Sequence, residues 1–188
     1  MITHFELMDR CAEIGLAGDR AALPELFKLM MHDDWRVRYA ASVAAGDLRA
    51  PEAIAPLMWV LWREDAAPLY SQPPLPAGGS AGSSGVTTPA FPEGTTPETI
   101  EAWRRRGRVK QAACLALGYI GEAAPQALAA LQRYAVAPEE DYVVRAAACQ
   151  ALGKINHPSS REVLLRAAKD EEWCTNHEAA KALARLPA

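Results

Sequence analysis

Val144-Arg-Ala-Ala-Ala-Cys-Gln-Ala-Leu-Gly153 decides the fold of this chain, because it recurs. Val109-Lys-Gln-Ala-Ala-Cys-Leu-Ala-Leu-Gly118 repeats it with Lys for Arg. Val37-Arg-Tyr-Ala-Ala-Ser-Val-Ala-Ala-Gly46 is a looser copy, and Thr175-Asn-His-Glu-Ala-Ala-Lys-Ala-Leu-Ala184 is a degenerate last one. In each copy the apolar and small residues fall at helical spacing, as at Val144, Ala148, Ala151 and Leu152, which marks one buried helix face. The closing glycine reads as the C-terminal stop of that helix. The many alanines let a neighbouring helix approach closely. Val109 and Val144 are 35 residues apart, and Val144 and Thr175 are 31 apart. Periods of this size indicate stacked two-helix units, each too small to bury its own apolar face alone.

A first helix precedes each copy. Ala21-Ala-Leu-Pro-Glu-Leu-Phe-Lys-Leu-Met30, Pro51-Glu-Ala-Ile-Ala-Pro-Leu-Met-Trp-Val-Leu61, Ala124-Pro-Gln-Ala-Leu-Ala-Ala-Leu-Gln-Arg133 and Ser160-Arg-Glu-Val-Leu-Leu-Arg-Ala-Ala168 fill this role. Pro51 and Pro125 sit near helix starts, where a missing N–H costs little. Asp33 or Asp34 suits the N-cap of the second helix in the first repeat. The pattern Asp34…Val37-Arg38…Ala41 and Asp141…Val144-Arg145…Ala148…Leu152-Gly153 resembles HEAT repeats, particularly the short subtype named after phycobilisome lyases. The resemblance spans residues 19–188 apart from one insertion. It implies an all-α, right-handed solenoid of about four helix pairs. It also implies a ladder of charges between repeats, with Arg38, Lys110 and Arg145 as bases and Asp34, Asp141 and Glu172 as acids. Asn176 breaks the basic series, so the ladder should fade in the last repeat.

The whole chain, 1–188, reads as one repeat domain. Residues 4–15 read as an N-terminal capping helix whose Phe5, Met8, Ala12 and Cys11 cover the open end of the stack, ended by Gly15 and Gly18. The second repeat is interrupted. Between a helix over about 51–63 and another beginning near Pro97 lies an insertion at about 66–96. It contains Pro-Pro-Leu-Pro-Ala-Gly-Gly-Ser-Ala-Gly-Ser-Ser-Gly. Its glycine and serine content is linker chemistry, consistent with a disordered spacer or with a functional lid on the binding face. The following helix is longer than its siblings, capped by Thr96, and carries Arg104, Arg105, Arg106, Arg108 and Lys110. This basic cluster is either a solvated helix extension or a patch for an acidic partner. Trp103, with Trp59 and Trp62 on the preceding helix, either packs or offers a ligand platform.

In the second helices, positions 35, 39 and 42 lie away from the core stripe of Val37, Ala41, Ala44 and Ala45. They hold Trp35, Tyr39 and Ser42; the matching positions hold Gly107, Gln111 and Cys114, then Tyr142, Ala146 and Cys149, then Trp173, His177 and Ala180. Second helices line the concave face in proteins of the resembled family. A row of Trp35, Tyr142 and Trp173 is therefore a candidate binding strip, because large, stiff aromatics suit interfaces. The alternative is that each ring packs against an adjacent turn.

Composition restricts the function. Half the 188 residues are apolar and the net charge is −3, so no global field draws the chain to nucleic acid or an anionic membrane. No apolar run is long enough to span a bilayer, and the N-terminus lacks a secretory pattern, so a cytoplasmic protein is expected. Cys114 and Cys149 share one repeat register and read as small core residues. Cys174 and His177, three apart, make a poor metal site by themselves, because zinc takes four ligands or three plus water. No phosphate loop, His-Glu-x-x-His or nucleophile elbow is present. No cofactor is expected. A non-catalytic protein-binding scaffold is the leading reading, with Trp35, Tyr39, Trp103, Arg104, Arg105, Arg108, Tyr142, Trp173 and His177 as candidate contacts for another protein. Bilin handling, which the resemblance alone suggests, and DNA binding are the alternatives. Metal-dependent hydroxylation would need paired His-Glu motifs, and only His177-Glu178 matches.

Overall fold

The computed structural model describes residues 2–66, 91 and 93–187. The described residues form nine α-helices and no strand. They are α1 His4–Ala17, α2 Leu23–Met30, α3 Trp35–Asp47, α4 Ile54–Ala66, α5 Pro97–Ile120, α6 Leu128–Ala135, α7 Tyr142–Ile155, α8 Arg161–Ala167 and α9 Trp173–Leu183. The expected first helices are shorter than the sequence suggests. Each of α2, α4, α6 and α8 begins with a separate 3-10 turn, at Arg20–Ala22, Pro51–Ala53, Pro125–Ala127 and Pro158–Ser160. Most of the insertion reading, residues 67–90 and 92, lies outside the described residues.

The helices form two layers. α2, α4, α6 and α8 each pair with the helix that follows, and α1, α3, α5, α7 and α9 pack side by side in one row. The chain is thus an all-α solenoid, with α1 acting as the opening member of the inner row. Cys11 and Ile14 of α1 are buried and Leu7 and Met8 pack partly on the core, whereas Phe5 and Ala12 face solvent. The covering face of α1 is therefore rotated from the expected one. Thr3 and Glu6 form a reciprocal capping box at its start, and Gly18 ends it in the left-handed region (φ 66°) that glycine adopts without a Cβ penalty.

The repeat glycines act differently from the expected stop signals. Gly46, Gly118 and Gly153 lie inside α3, α5 and α7. A Cβ on Gly46 would stand 2.8 Å from the Ala116 Cα, one on Gly118 2.7 Å from the Ala151 Cα, and one on Gly153 2.6 Å from the Ala182 Cβ. Each glycine is the point where one inner helix touches the backbone of the next. Side-by-side packing at Gly–Ala contacts brings the inner row together.

The charge ladder exists, but Asp34 and Asp141 are not its acids. Arg38 donates to Glu64 (2.7 Å), Lys110 meets Glu140 (2.5 Å) and Asp65 (2.8 Å), and Arg145 donates to Asp170 (3.0 Å). Asp34 and Asp141 instead cap their own helices, accepting from the Arg36 and Val143 N–H groups. Asp170 does both, accepting from the Glu172 N–H and from Arg145. Both arginines also turn back: Arg38 donates to the His32 and Asp33 carbonyls, and Arg145 to that of Glu140. The shorter Asn176 keeps only this backward half, donating to the Asp170 carbonyl. Asp65, at the end of α4, also accepts from the Tyr134 hydroxyl (2.7 Å) and from Arg133, tying α4 to α5 and α6.

Candidate functional site

The inner row leaves one side of its helices open. Along that side, α5, α7 and α9 enclose a groove of about 380 Å³. Gln111 and Leu115 of α5 form one wall, Tyr142, Val143, Ala146, Ala147 and Gln150 of α7 the floor, and Trp173, Cys174, His177 and Glu178 of α9 the other wall. This volume is in the range of small-ligand and side-chain pockets, and the lining is mostly apolar with a few convergent polar groups.

The local sequence explains the placement. Asp141 caps α7, which makes Tyr142 the first residue of that helix. Trp173 is likewise the first residue of α9. First-turn side chains stand at the mouth of a helix row rather than in its interior. Trp173 is 63% exposed and stacks its indole on the His177 ring at 4.7 Å and 14°. Tyr142 is half-buried, and burial with the nearby Asp141 raises its phenol above the ordinary range. Cys174 is half-buried in the wall, whereas Cys11, Cys114 and Cys149 are fully buried, with burial pushing the Cys149 thiol up to about 12.

The structure brings Tyr142, Trp173 and His177 together and separates them from the other aromatics. Trp35 packs partly on the core with its indole N–H buried and without a hydrogen-bond partner, and Tyr39 stands 36% exposed on α3. Gly107 breaks the row between these two groups. Its missing side chain is filled by Asp141, whose Cβ would be 3.3 Å from a glycine Cβ. Trp103 departs from the platform reading. It is only 8% exposed and meets Phe91 edge-on at 5.1 Å, so it is a packing residue that anchors the start of α5. Trp59 and Trp62 lie on α4 in the outer layer, their rings 6.2 Å apart.

The register of the open side also differs from the sequence reading. Ser42, Cys114 and Cys149 are fully buried in the stack. The open positions are one residue later, at Val43, Leu115 and Gln150. Leu115, Gln150 and Glu178 are thus groove residues that sequence reasoning passed over, while Gln111 stands on the open face as expected.

Of the basic cluster, Lys110 belongs to the buried ladder, and Arg105 pairs with Glu101 on its own helix at 2.9 Å. Arg104 and Arg108 are exposed, and Arg108 donates to the Gln111 carbonyl oxygen at 3.3 Å. Among the described residues no cluster of three or more His, Cys, Asp or Glu side chains could hold a metal ion. No described helix is long and apolar enough to cross a membrane.

Comparison with known proteins bears on the architecture. No curated protein matches the chain. Among solved structures it is similar to human deoxyhypusine hydroxylase in complex with glycerol, at 17% identity and a TM-score of 0.39, over 97% of this chain and 80% of that one. The family model described as HEAT repeats matches residues 11–69 and 135–188. These segments make up more than half of the chain and include the helix pairs stacked at either end of the row, and the chain therefore belongs to the HEAT-repeat family.

Proposed function

We propose that this chain is a polypeptide-binding scaffold that receives a segment of its partner in the α5–α7–α9 groove. The observation that carries this reading is the groove itself, where Tyr142, Trp173 and His177 converge on an apolar floor. Such a surface has an energetic reason to be covered. Rigid aromatics with few rotors lose little entropy on binding, and a shaped apolar floor favours desolvation. The helical frame holds these rings at fixed spacing without needing the partner, so the site is preorganised. In a repeat fold the chemistry of a site, rather than the fold, decides what it binds.

The test compares the intact chain with a Tyr142→Ala/Trp173→Ala variant in affinity capture from the native host. Both rings lie at the groove mouth, so helical circular dichroism should be unchanged. The expected result is a polypeptide recovered by the wild type and lost by the variant. In the recovered complex, alkylation of Cys174 should be slowed, because that thiol lines the groove. Equal recovery by both proteins, or unaltered Cys174 labelling in the complex, would remove the groove from the binding site.

A further inference from the structure

We infer that the partner segment is acidic next to its apolar anchor, with its carboxylates lying over Arg104 and Arg108 at the α5 edge of the groove. This rests on the scaffold reading and adds to it the chemistry and direction of the bound segment.

The inference comes from the joining of two features that are far apart in sequence. Arg104 and Arg108 are one helical turn apart on α5, so they project from the same side. Arg108 bonds to Gln111, which is itself a groove wall. Gly107, between the two arginines, lets α5 close onto Asp141, the residue just before Tyr142. The arginines therefore border the aromatic mouth. Burial raises the Asp141 carboxyl, and the charges of Arg108, Arg145 and Arg104 offset part of that rise, which places both rim arginines within electrostatic reach of the α7 start.

These two cations have no carboxylate partner among the described residues, although Arg105 between them has one. Among the described residues neither Arg104 nor Arg108 forms an ion pair, while Arg105, Arg133, Arg145 and Lys181 all do. Asp141 is within electrostatic reach but forms no ion pair with either, and its Oδ1 accepts from the Val143 N–H. The groove mouth is also the N-terminal end of α7 and α9, where helix dipoles favour negative charge. The opposite wall differs in sign: Glu178 lines it, already paired with Lys181 at 2.8 Å. The groove thus runs from a cationic edge, over an apolar floor, to a neutral or acidic wall. A chain of net charge −3 would repel an acidic ligand at long range, so attraction must come from this local edge.

The probe is a random dodecapeptide library displayed on phage and selected on the full chain, with binders that survive on Tyr142→Ala/Trp173→Ala discarded. The groove-dependent binders should carry Asp or Glu on one side of an aromatic or large aliphatic residue. A synthetic peptide of that composition should bind about tenfold more weakly to Arg104→Gln/Arg108→Gln at low salt, the effect expected of two exposed ion pairs. The same double substitution should leave a glutamine-for-glutamate version of the peptide unaffected. Groove-dependent binders with no acidic enrichment, or an acidic preference that survives the arginine substitutions, would overturn the inference while leaving the scaffold reading in place. A selection that yields no groove-dependent binder would overturn the scaffold reading and this inference with it.

Discussion

Replacing Gly118 with alanine separates two explanations of the repeat glycines. If they were only helix stops, Gly118→Ala would help, because alanine is favoured over glycine inside a helix by up to about 1 kcal/mol. The structure predicts the opposite. The new Cβ would lie 2.7 Å from the Ala151 Cα and 3.0 Å from the Ala151 Cβ, well inside the roughly 3.5–4.0 Å carbon–carbon optimum. The nearest atom is backbone, so no rotamer change relieves the clash, and α5 and α7 must separate by roughly 1 Å along their contact. Overpacking of this kind costs about 1–3 kcal/mol. Set against a helix gain of up to about 1 kcal/mol, the net loss is about 0–2 kcal/mol, or up to roughly 8 °C in Tm for a chain of this size. Thermal and urea unfolding followed by circular dichroism measure it. Adding Ala151→Gly should not rescue the variant, since the obstructing Cα remains. Gly15→Ala is the control: its Cβ would sit 3.2 Å from a mobile Asp47 carboxylate oxygen and 3.3 Å from the Ala44 Cα, so it should be close to neutral. A Gly118→Ala protein more stable than the wild type, keeping the full helix gain, would refute the close-contact account of the inner row.

Two further outcomes follow from burial and charge. Trp103→Ala should destabilise the chain by about 3–5 kcal/mol, because it removes a buried indole, whereas Trp173→Ala should leave the melting curve nearly unchanged; similar losses for both would contradict their assigned environments. Asp65→Asn tests the α4–α6 tie through pH. Burial raises the Asp65 carboxyl, but the Lys110 charge and the bonds from Lys110, Tyr134 and Arg133 bring it below its ordinary 3.8. A depressed carboxyl stabilises above its unfolded value and loses that contribution as pH falls through the folded one. The urea-midpoint gap between wild type and Asp65→Asn should therefore be full near neutrality and shrink below about pH 4. A gap that stays constant into acid would show that the charge of Asp65 contributes nothing.

The fold was legible because it repeats. Four copies of one phrase fix helix type, period and core stripe, and the caps at Asp34, Thr96 and Asp141 are visible as residue types. The acid side of the ladder was less so. Asp34, Asp141, Glu140 and Asp170 are all carboxylates close to the same turns, and only three-dimensional contact tells which are spent on capping. The open face was misplaced by one residue for a related reason. On a helical wheel, position 42 lies about 20° from position 35 and position 43 about 80° away, so 42 looks like the better companion. That arithmetic counts one neighbour, the paired outer helix, and omits the inner helices on either side. Ser42, Cys114 and Cys149 carried the missing signal, since a register of small residues marks close helix approach.

The groove forms where the repeat departs from its own pattern. α5 has 24 residues against 13 in α3 and 14 in α7, and the extra turns carry Arg104 to the groove edge. Three of the four copies place an aromatic two residues before the Val or Thr that opens the repeat phrase, and this one places Gly107. A ring there would run into Asp141, because a Cβ alone would already come within 3.3 Å of the Asp141 Cβ. With an aromatic side chain at 107, α5 would be held off the α7 start, and Arg108 and Gln111 would move away from Tyr142. The glycine that interrupts the aromatic row is thus what lets the basic helix and the aromatic floor share one groove. Regular repeats supply the rigid spacing, and the irregular second repeat supplies the asymmetry that gives the groove a cationic and an acidic side.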